Sequence, residues 1–257
     1  MVVISRKLRL IKKMAPEIIN PNARNKLVLL CEHASNHVPK TLDRLGLDDK
    51  ALAEHIAYDI GAGDVTRKIA EMMGVSAVLA TASRLALDCN RIPADGTRFP
   101  AHVDGWDIPG NVALTAQDKH DRHQLFYEPF HSAAARMIDQ HLAAGFRPIV
   151  VSIHSFSPTY AGETRPWQMG FMWNNDTRLA QALIGLLERE TDLVIGANKP
   201  WSGKDLFHTQ QLHGEDRRLL HTGIEIRNDM IRTEPQVLEM AALLADLLDE
   251  CIHREDL

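Results

Sequence analysis

Short apolar runs alternate with longer amphipathic segments along most of the chain. Continuous apolar runs, typical of strands buried on both faces, occur at 26–31, 75–80, 148–153, 170–173, 192–195 and 223–227. Apolar residues at helical spacing predict helices at 51–73, 118–144, 176–190 and 234–253. This alternation predicts an α/β fold with a mostly parallel or mixed central sheet and helices on both faces.

The chain contains no internal repeat, and no shift in composition marks a boundary between domains. Basic side chains interrupt the apolar residues of the first segment too often for a signal peptide. We therefore interpret residues 1–25 as an N-terminal arm and residues 26–257 as a single domain. The segment 90–114 is rich in Pro, Gly and Asp and is predicted to be mostly loop.

The composition of the 257 residues is that of a globular protein, with 45% hydrophobic and 25% charged residues. A formal net charge of −5 weighs against nucleic acid as the main partner. The apolar runs fall well short of the ~20 residues that span a bilayer, so no membrane association is expected. Three widely spaced cysteines suggest neither a disulfide framework nor a four-cysteine zinc site, which favours a cytoplasmic location.

Two of the thirteen histidines follow buried strands directly. Ligands of α/β sheets bind at the carboxyl ends of the strands, so His33 and His154 are expected to face one crevice. Two imidazoles, a carboxylate and an open water position form a catalytic Zn²⁺ site; the alternative is a pair of structural histidines. The third ligand stays open: Asp59 is the candidate, and its alternative is an ordinary helix residue. His131, within a predicted helix, is a weaker third histidine.

Glu225 lies between two isoleucines of an otherwise apolar strand. A buried carboxylate there suits a general base that takes a proton from metal-activated water. The alternative is an ion pair with Arg227, which shares its strand face. Arg227 is also a candidate for stabilising negative charge during the reaction.

Further polar residues near strand ends are candidates for binding substrate. The planar guanidinium groups of Arg84 and Arg91 suit a carboxylate-bearing small molecule, although Asp88 is close enough in sequence to brace one of them. The other substrate-binding candidates are amide and hydroxyl side chains: Asn36, which alternatively closes a turn, Ser83, Asn90, and Asn198 in a turn-rich loop.

Motifs of other enzyme classes are missing from the sequence. It has no Gly-x-Ser-x-Gly elbow of a serine hydrolase and no glycine-rich phosphate-binding loop. The histidines and carboxylates at the strand ends therefore stay the main candidates for catalysis.

At these residues the sequence resembles the N-formylglutamate amidohydrolase family. The matching stretches are Glu32-His33-Ala34-Ser35-Asn36 with Val38-Pro39, Asp59, Ser83-Arg84 with Asp88 and Asn90-Arg91, Tyr127-x-Pro129-Phe130-His131, His154-Ser155, Asn198-x-Pro200-x-Ser202-Gly203, and Glu225-Ile226-Arg227. The resemblance implies a zinc-carboxypeptidase-like three-layer sandwich and a metal-dependent hydrolase that cleaves N-formyl-L-glutamate to formate and L-glutamate. It also implies metal ligation by His33 and His154, a base at Glu225, and arginines that hold the substrate carboxylates.

Related carboxypeptidases present His-x-x-Glu at the first metal motif, whereas this sequence has His33-Ala-Ser-Asn36. We therefore expect a metal-dependent amidohydrolase for a small N-acyl acidic amino acid such as N-formylglutamate, with Zn²⁺ or another divalent metal. The alternatives are a zinc hydrolase for another N-acyl amino acid or a cell-wall amide, and a non-enzymatic binder of an anionic metabolite.

Overall fold

A computed structural model describes residues 14–160 and 162–254. Its strands are β1 Glu17–Ile19, β2 Leu27–Cys31, β3 Ser76–Leu79, β4 His102–Val103, β5 Trp106–Asp107, β6 Ile149–Phe156, β7 Thr159–Tyr160, β8 Glu163–Thr164, β9 Met169–Met172, β10 Ile195–Ala197 and β11 His221–Arg227. Its α-helices are α1 Asp49–Ala53, α2 Ala62–Met73, α3 Ala116–Arg122, α4 Glu128–Ala143, α5 Arg178–Glu190, α6 His208–Gln210 and α7 Glu234–His253.

Seven strands form one central sheet in the order β1-β3-β2-β6-β11-β9-β10. The four strands β3, β2, β6 and β11 run parallel, so their carboxyl ends meet at one edge, which we call the site edge. Strand β9 pairs with β11 in the antiparallel sense, and β10 follows β9. The sheet is therefore mixed, which agrees with the predicted mostly parallel or mixed sheet.

Helices cover both faces of this sheet and make a three-layer α/β sandwich. On one face, α2, α5 and α7 enclose a core that includes Leu29, Val151 and Ile224. On the other face, α4 packs against β2 and β3 over a second core that includes Leu30 and Val150. Alternate residues of the buried strands serve the two cores, as their continuous apolar sequences predict.

The predicted N-terminal arm, residues 1–25, contributes a strand to the sheet. Within it, β1 pairs antiparallel with β3 at the sheet edge, so the packed structure begins before residue 26. A three-residue strand is too short to stand out by periodicity, which explains the difference. Residues 1–13 of the arm lie outside the described residues.

The helix predicted at 51–73 is interrupted. It forms the short helix α1 and the longer helix α2, with a turn at residues 54–61 between them. Gly61 begins α2 with φ of 80°, a left-handed conformation that an uninterrupted helix excludes. A Cβ at this position would lie 2.3 Å from the carbonyl oxygen of Ile231, so only glycine fits. This turn carries Asp59.

Other element predictions differ from the structure mainly at their ends. The predicted helix 118–144 becomes α3 and α4 joined by a π-helical turn at His123–Tyr127. The strand predicted at 192–195 lies slightly later, as β10. In the described part of the chain, no helix combines the length and apolarity needed to cross a membrane.

Candidate active site

The two singled-out histidines meet at the site edge, as the parallel strands predict. His33 lies in the turn directly after β2, and His154 lies near the end of β6, which extends further than predicted. The turn before α2 brings Asp59 to them, because the backbone N–H of Asp59 donates to the carbonyl of His33 at 2.9 Å. Three separate parts of the chain thus converge on one buried point.

Asp59 lies between the two imidazoles. Its Oδ2 atom is 3.1 Å from Nδ1 of His33 and 2.8 Å from Nδ1 of His154. One ligand atom from each of these three residues falls within 4.8 Å of the others, which is the spacing of a potential metal site. We call His33, Asp59 and His154 the candidate triad.

A further carboxylate lies beside the outer nitrogen of each imidazole. Nε2 of His33 is hydrogen-bonded to Oδ1 of Asp88 at 2.8 Å, whereas Nε2 of His154 lies 3.3 Å from Oε2 of Glu32, an ion-pair distance without a hydrogen bond. Metal-binding histidines usually donate their second nitrogen to a carboxylate or carbonyl, which fixes the ring and its tautomer. His33 therefore has the hydrogen-bonded support expected of a ligand that binds through Nδ1, and Glu32 adds an electrostatic contact to His154.

Carboxylates dominate the surroundings of the triad. Glu32, Asp59, Asp88 and Glu225 are all buried, beside two imidazoles and the guanidinium of Arg84. Although burial alone lowers the pKa of His154, the charge of Glu32 and the hydrogen bond to Asp59 raise it to about 10. A divalent cation would take the place of the protons that these carboxylates favour on the imidazoles, and nitrogen and carboxylate donors suit Zn²⁺. The residues therefore fit a metal ion.

Glu225 faces the same space from β11. It pairs with His154 in the parallel register of β11 and β6, and burial raises its pKa to about 7. In the described part of the chain, its Oε2 atom has no hydrogen-bond partner. Arg227 binds Asp229 instead, at 2.8 Å, so the alternative ion pair between Glu225 and Arg227 is absent among the described residues.

A cavity of about 820 Å³ opens over the triad and Glu225. Three arginines line it: Arg84, Arg91 and Arg165. Arg84 bridges the two carboxylates that hold His33, with contacts of 3.2 Å to Asp59 and 2.9 Å to Asp88. Asp88 thus braces an arginine, as expected, and also holds His33.

Two more predicted substrate-binding residues line the cavity. Arg91 lies there with a distant Asp95, whose Oδ2 is 3.9 Å from Nε. Asn90 also lines the cavity, and its Oδ1 accepts from the backbone N–H of Thr209 at 3.0 Å. Their positions agree with the sequence analysis, and substrate contact by either residue stays a prediction.

The structure does not bring four predicted site residues to the cavity. Asn36 donates to the carbonyl of Leu52 and closes a turn, and the fully buried Ser83 donates to the carbonyl of Ala57. Asn198 lies just after β10, which runs opposite to β6 and ends away from the site edge, and its Oδ1 accepts from two backbone N–H groups. Arg227 turns toward Asp229.

His131 belongs to a separate histidine cluster. Its Nδ1 lies 2.9 Å from Nε2 of His213, and its Nε2 lies 2.9 Å from the carbonyl of Cys89. Burial lowers the pKa of His131 well below its usual value. The residue is a buried, neutral histidine of the core rather than a member of the triad.

Several residues near the triad and in the cavity escaped sequence reasoning. Glu32 comes directly after β2, which ends at Cys31, and lies beside His154. His55, Tyr160, Arg165 and Trp201 line the cavity. They come from turns and a short hairpin, where no periodic pattern reports the direction of a side chain.

Comparison with known proteins finds a matching family model and similar solved structures. The family model of N-formylglutamate amidohydrolase matches residues 25–232. A gene product of Agrobacterium tumefaciens of known structure is 36% identical, with a TM-score of 0.89 over 93% of this chain and 94% of its own. The N-formylglutamate amidohydrolase of Ralstonia eutropha JMP134 shares the fold at 15% identity, with a TM-score of 0.65 over 93% and 97% of the two chains. No curated protein is similar enough to this chain to count as a relative.

Proposed function

The chain belongs to the N-formylglutamate amidohydrolase family and is a hydrolase that acts on an amide, and from this premise we propose its substrate and mechanism. The substrate is a small N-acyl acidic amino acid, with N-formylglutamate as the first choice. The metal is Zn²⁺ or another divalent ion, held by His33, Asp59 and His154. The absence of a disulfide framework favours a cytoplasmic location for this reaction.

One observation carries the proposal: a buried carboxylate with a free oxygen stands beside the candidate triad. Glu225 is only 5% exposed, and its Oε2 atom lacks a hydrogen-bond partner among the described residues. An unpaired carboxylate oxygen is costly to bury unless a ligand or water uses it. Its pKa of about 7 lets the group accept and return a proton near neutral pH.

Each residue has a distinct part in amide hydrolysis. Oε2 of Glu225 accepts a proton from the attacking water and passes it to the amide nitrogen as the C–N bond breaks. Asp88 is hydrogen-bonded to the outer nitrogen of His33 and keeps that ring in its orientation, while Glu32 attracts His154 electrostatically from 3.3 Å. A divalent metal, when bound, supplies Lewis-acid polarisation of the scissile carbonyl and lowers the pKa of water. Arg91 binds a carboxylate of the substrate.

Replacing the proposed base tests this mechanism. Glu225→Gln keeps the shape of the side chain but cannot accept the proton, so kcat for N-formylglutamate should fall by about 10²–10⁴-fold. Binding of the substrate and the metal content should persist, as measured by calorimetry and metal analysis. Glu188→Gln, which alters an exposed carboxylate on α5, is the matched control and should retain full activity.

A small panel of substrates identifies the acyl group and the amino acid. N-formylglutamate, N-acetylglutamate, N-formylglutamine and N-formylleucine separate the effect of the acyl group from that of the side-chain charge. N-formylglutamate should give the highest kcat/KM. Turnover of Glu225→Gln at the parental rate, or a preference for N-formylleucine, would contradict the proposal.

A further inference from the structure

One arginine of the cavity is buried without a carboxylate partner. Arg165 is 8% exposed and lines the same cavity as His154 and Glu225. Nη1 of its guanidinium donates a long hydrogen bond, 3.4 Å, to the carbonyl of Ser157. Within the described ranges 14–160 and 162–254, no acidic side chain lies at ion-pair distance from it. A buried cation is normally paired, because its lost hydration must be replaced.

The other two arginines of the cavity differ from Arg165 in this respect. Arg84 contacts two buried carboxylates, which also hold His33, so its positive charge is already used inside the protein. Arg91 has a distant carboxylate and a 3.3 Å contact to the carbonyl of Asn90. Arg165 and Arg91 are therefore the cavity arginines with capacity for an added anion.

Aromatic side chains fix the position of the Arg165 guanidinium. Its central carbon lies 4.7 Å from the ring centre of Tyr160 and 4.9 Å from that of Trp201. The two rings meet edge to face, with their centres 5.6 Å apart. Stacking on the flat faces of a guanidinium leaves its N–H edge free for a bidentate contact with a carboxylate.

The backbone ties this arrangement to the triad. Arg165 closes the hairpin of β7 and β8, and its N–H donates to the carbonyl of Pro158 at 2.8 Å. The hairpin directly follows β6, which carries His154. Trp201 belongs to the turn that Asn198 holds through its Oδ1 atom. Asn198 therefore acts on the cavity indirectly, by supporting the ring against which Arg165 stacks.

We propose that Arg165 binds a carboxylate of the substrate and, together with Arg91, selects N-acyl amino acids that carry two carboxylates. This inference rests on the proposed function, because the ligand is a substrate only if the protein hydrolyses it. Binding of a dicarboxylate at Arg165 does not itself require hydrolysis. Arg165 also offsets the repulsion that Glu225 would exert on an incoming anion. Both side chains line the same cavity.

Binding of two non-hydrolysable probes tests the proposal on the intact, metal-containing protein. Glutarate has two carboxylates, and its half amide, glutaramate, has one in the same shape. The parent protein should bind glutarate at least about 30-fold more tightly than glutaramate, as expected for one added buried charge pair. In Arg165→Gln that ratio should fall to about one, because a single arginine remains to hold a carboxylate.

Two further variants make the result decisive. Arg165→Lys keeps the charge without the planar fork and should give an intermediate ratio, and it replaces the Gln variant if that protein fails to fold. Arg67→Gln is the control: Arg67 lies in the middle of α2, outside the cavity, and pairs with Glu17. This substitution should leave the ratio unchanged. Thermal unfolding of each variant checks that the fold is intact.

An unchanged ratio in folded Arg165→Gln would overturn the proposal, as would equal binding of both probes by the parent. Hydrolysis of N-formylglutamate, measured separately on the same preparations, distinguishes the two proposals. Glutarate binding that depends on Arg165 without hydrolysis would remove the proposed function and leave the carboxylate site. Hydrolysis of N-formylglutamate together with an unchanged binding ratio in Arg165→Gln would support the proposed function and remove the carboxylate site at Arg165.

Discussion

At the scale of single residues, the site is defined as much by the supports of the histidines as by the histidines themselves. Asp88 accepts from both His33 and Arg84, and Glu32 lies 3.3 Å from His154 while accepting from Ser152 at 2.8 Å. Sequence reasoning singled out His33, His154 and Glu225, because each lies in or directly after a strand, and the structure brings the three together. Sequence reasoning did not identify Glu32, since the direction of a side chain in a turn depends on backbone angles rather than on spacing.

The supporting carboxylates should therefore control metal affinity. Asp88→Asn weakens the hold on His33 and should lower the affinity for the metal about 10–100-fold, measured by competition with a chelator. Asp107→Asn is a matched control, because Asp107 bonds to the exposed His102 at 2.8 Å in a similar carboxylate–imidazole pair. Equal metal affinity in Asp88→Asn and the parent would show that the pair with His33 has no such role.

At the scale of elements, the interruption between α1 and α2 matters most. Apolar periodicity ran through 51–73 and predicted one helix, whereas the structure has a turn that delivers Asp59 to the histidines. Periodicity could not reveal this, because the turn keeps apolar residues such as Ile56 buried. The glycine at position 61 was the available signal. The strand that carries Glu225 ends at residue 227 as predicted, whereas the strand that carries His154 continues to Phe156, beyond its apolar run.

Close packing of α2 against the turn of His33 gives a second test. A Cβ added at Gly63 would lie 2.9 Å from the carbonyl oxygen of Ala34, the residue after His33. Gly63→Ala should lower the free energy of unfolding by about 1–3 kcal/mol, measured by denaturant titration. It should also weaken metal binding, since His33 must shift with Ala34.

The control for this substitution lies on another helix. Gly185 is in the interior of α5, and a Cβ there would meet no atom within 4 Å. Gly185→Ala should raise the free energy of unfolding by about 0.5–1 kcal/mol, because alanine loses less conformational freedom on folding. Equal effects of the two substitutions would argue against the close contact between α2 and Ala34.

At the scale of the whole molecule, the α/β class and the two helical layers followed from the alternation of apolar patterns. The reversed direction of β9 and β10 did not, because pairing direction is set by tertiary contacts that a single sequence does not display. That reversal is the reason why Asn198 lies away from the cavity while the loop after it returns to place Trp201 in the wall. Arg165 likewise was not predicted as a cavity residue, because it follows the hairpin of β7 and β8, whose strands are too short to recognise from the sequence.

Buried histidines make the stability of the whole domain depend on pH. Burial lowers the pKa of His213 to about 4, with Arg217 and His208 lowering it further and Asp139 opposing them. Between that value and the unfolded value near 6.5, the unfolded chain binds a proton that the folded chain does not. The free energy of unfolding should therefore fall as the pH falls from about 6.5 to 4, by about 1.4 kcal/mol per pH unit for this residue.

Denaturant titrations at several pH values measure this slope. His213→Gln removes the titrating group, so its free energy of unfolding should fall less steeply over the same range than that of the parent. His253→Gln, at the exposed end of α7, is the control and should keep the parental slope. Identical slopes for the parent and His213→Gln would show that His213 is not buried in its neutral form.

Metal dependence of hydrolysis tests the central claim most directly. Purified protein is stripped with a chelator, its metal content is measured, and hydrolysis of N-formylglutamate is followed while Zn²⁺ is returned. We predict that activity disappears with the metal and returns in proportion to the metal bound, up to one ion per chain. Full activity in protein shown to be free of metal would contradict the account, because His33, Asp59 and His154 would then not form a metal centre required for hydrolysis.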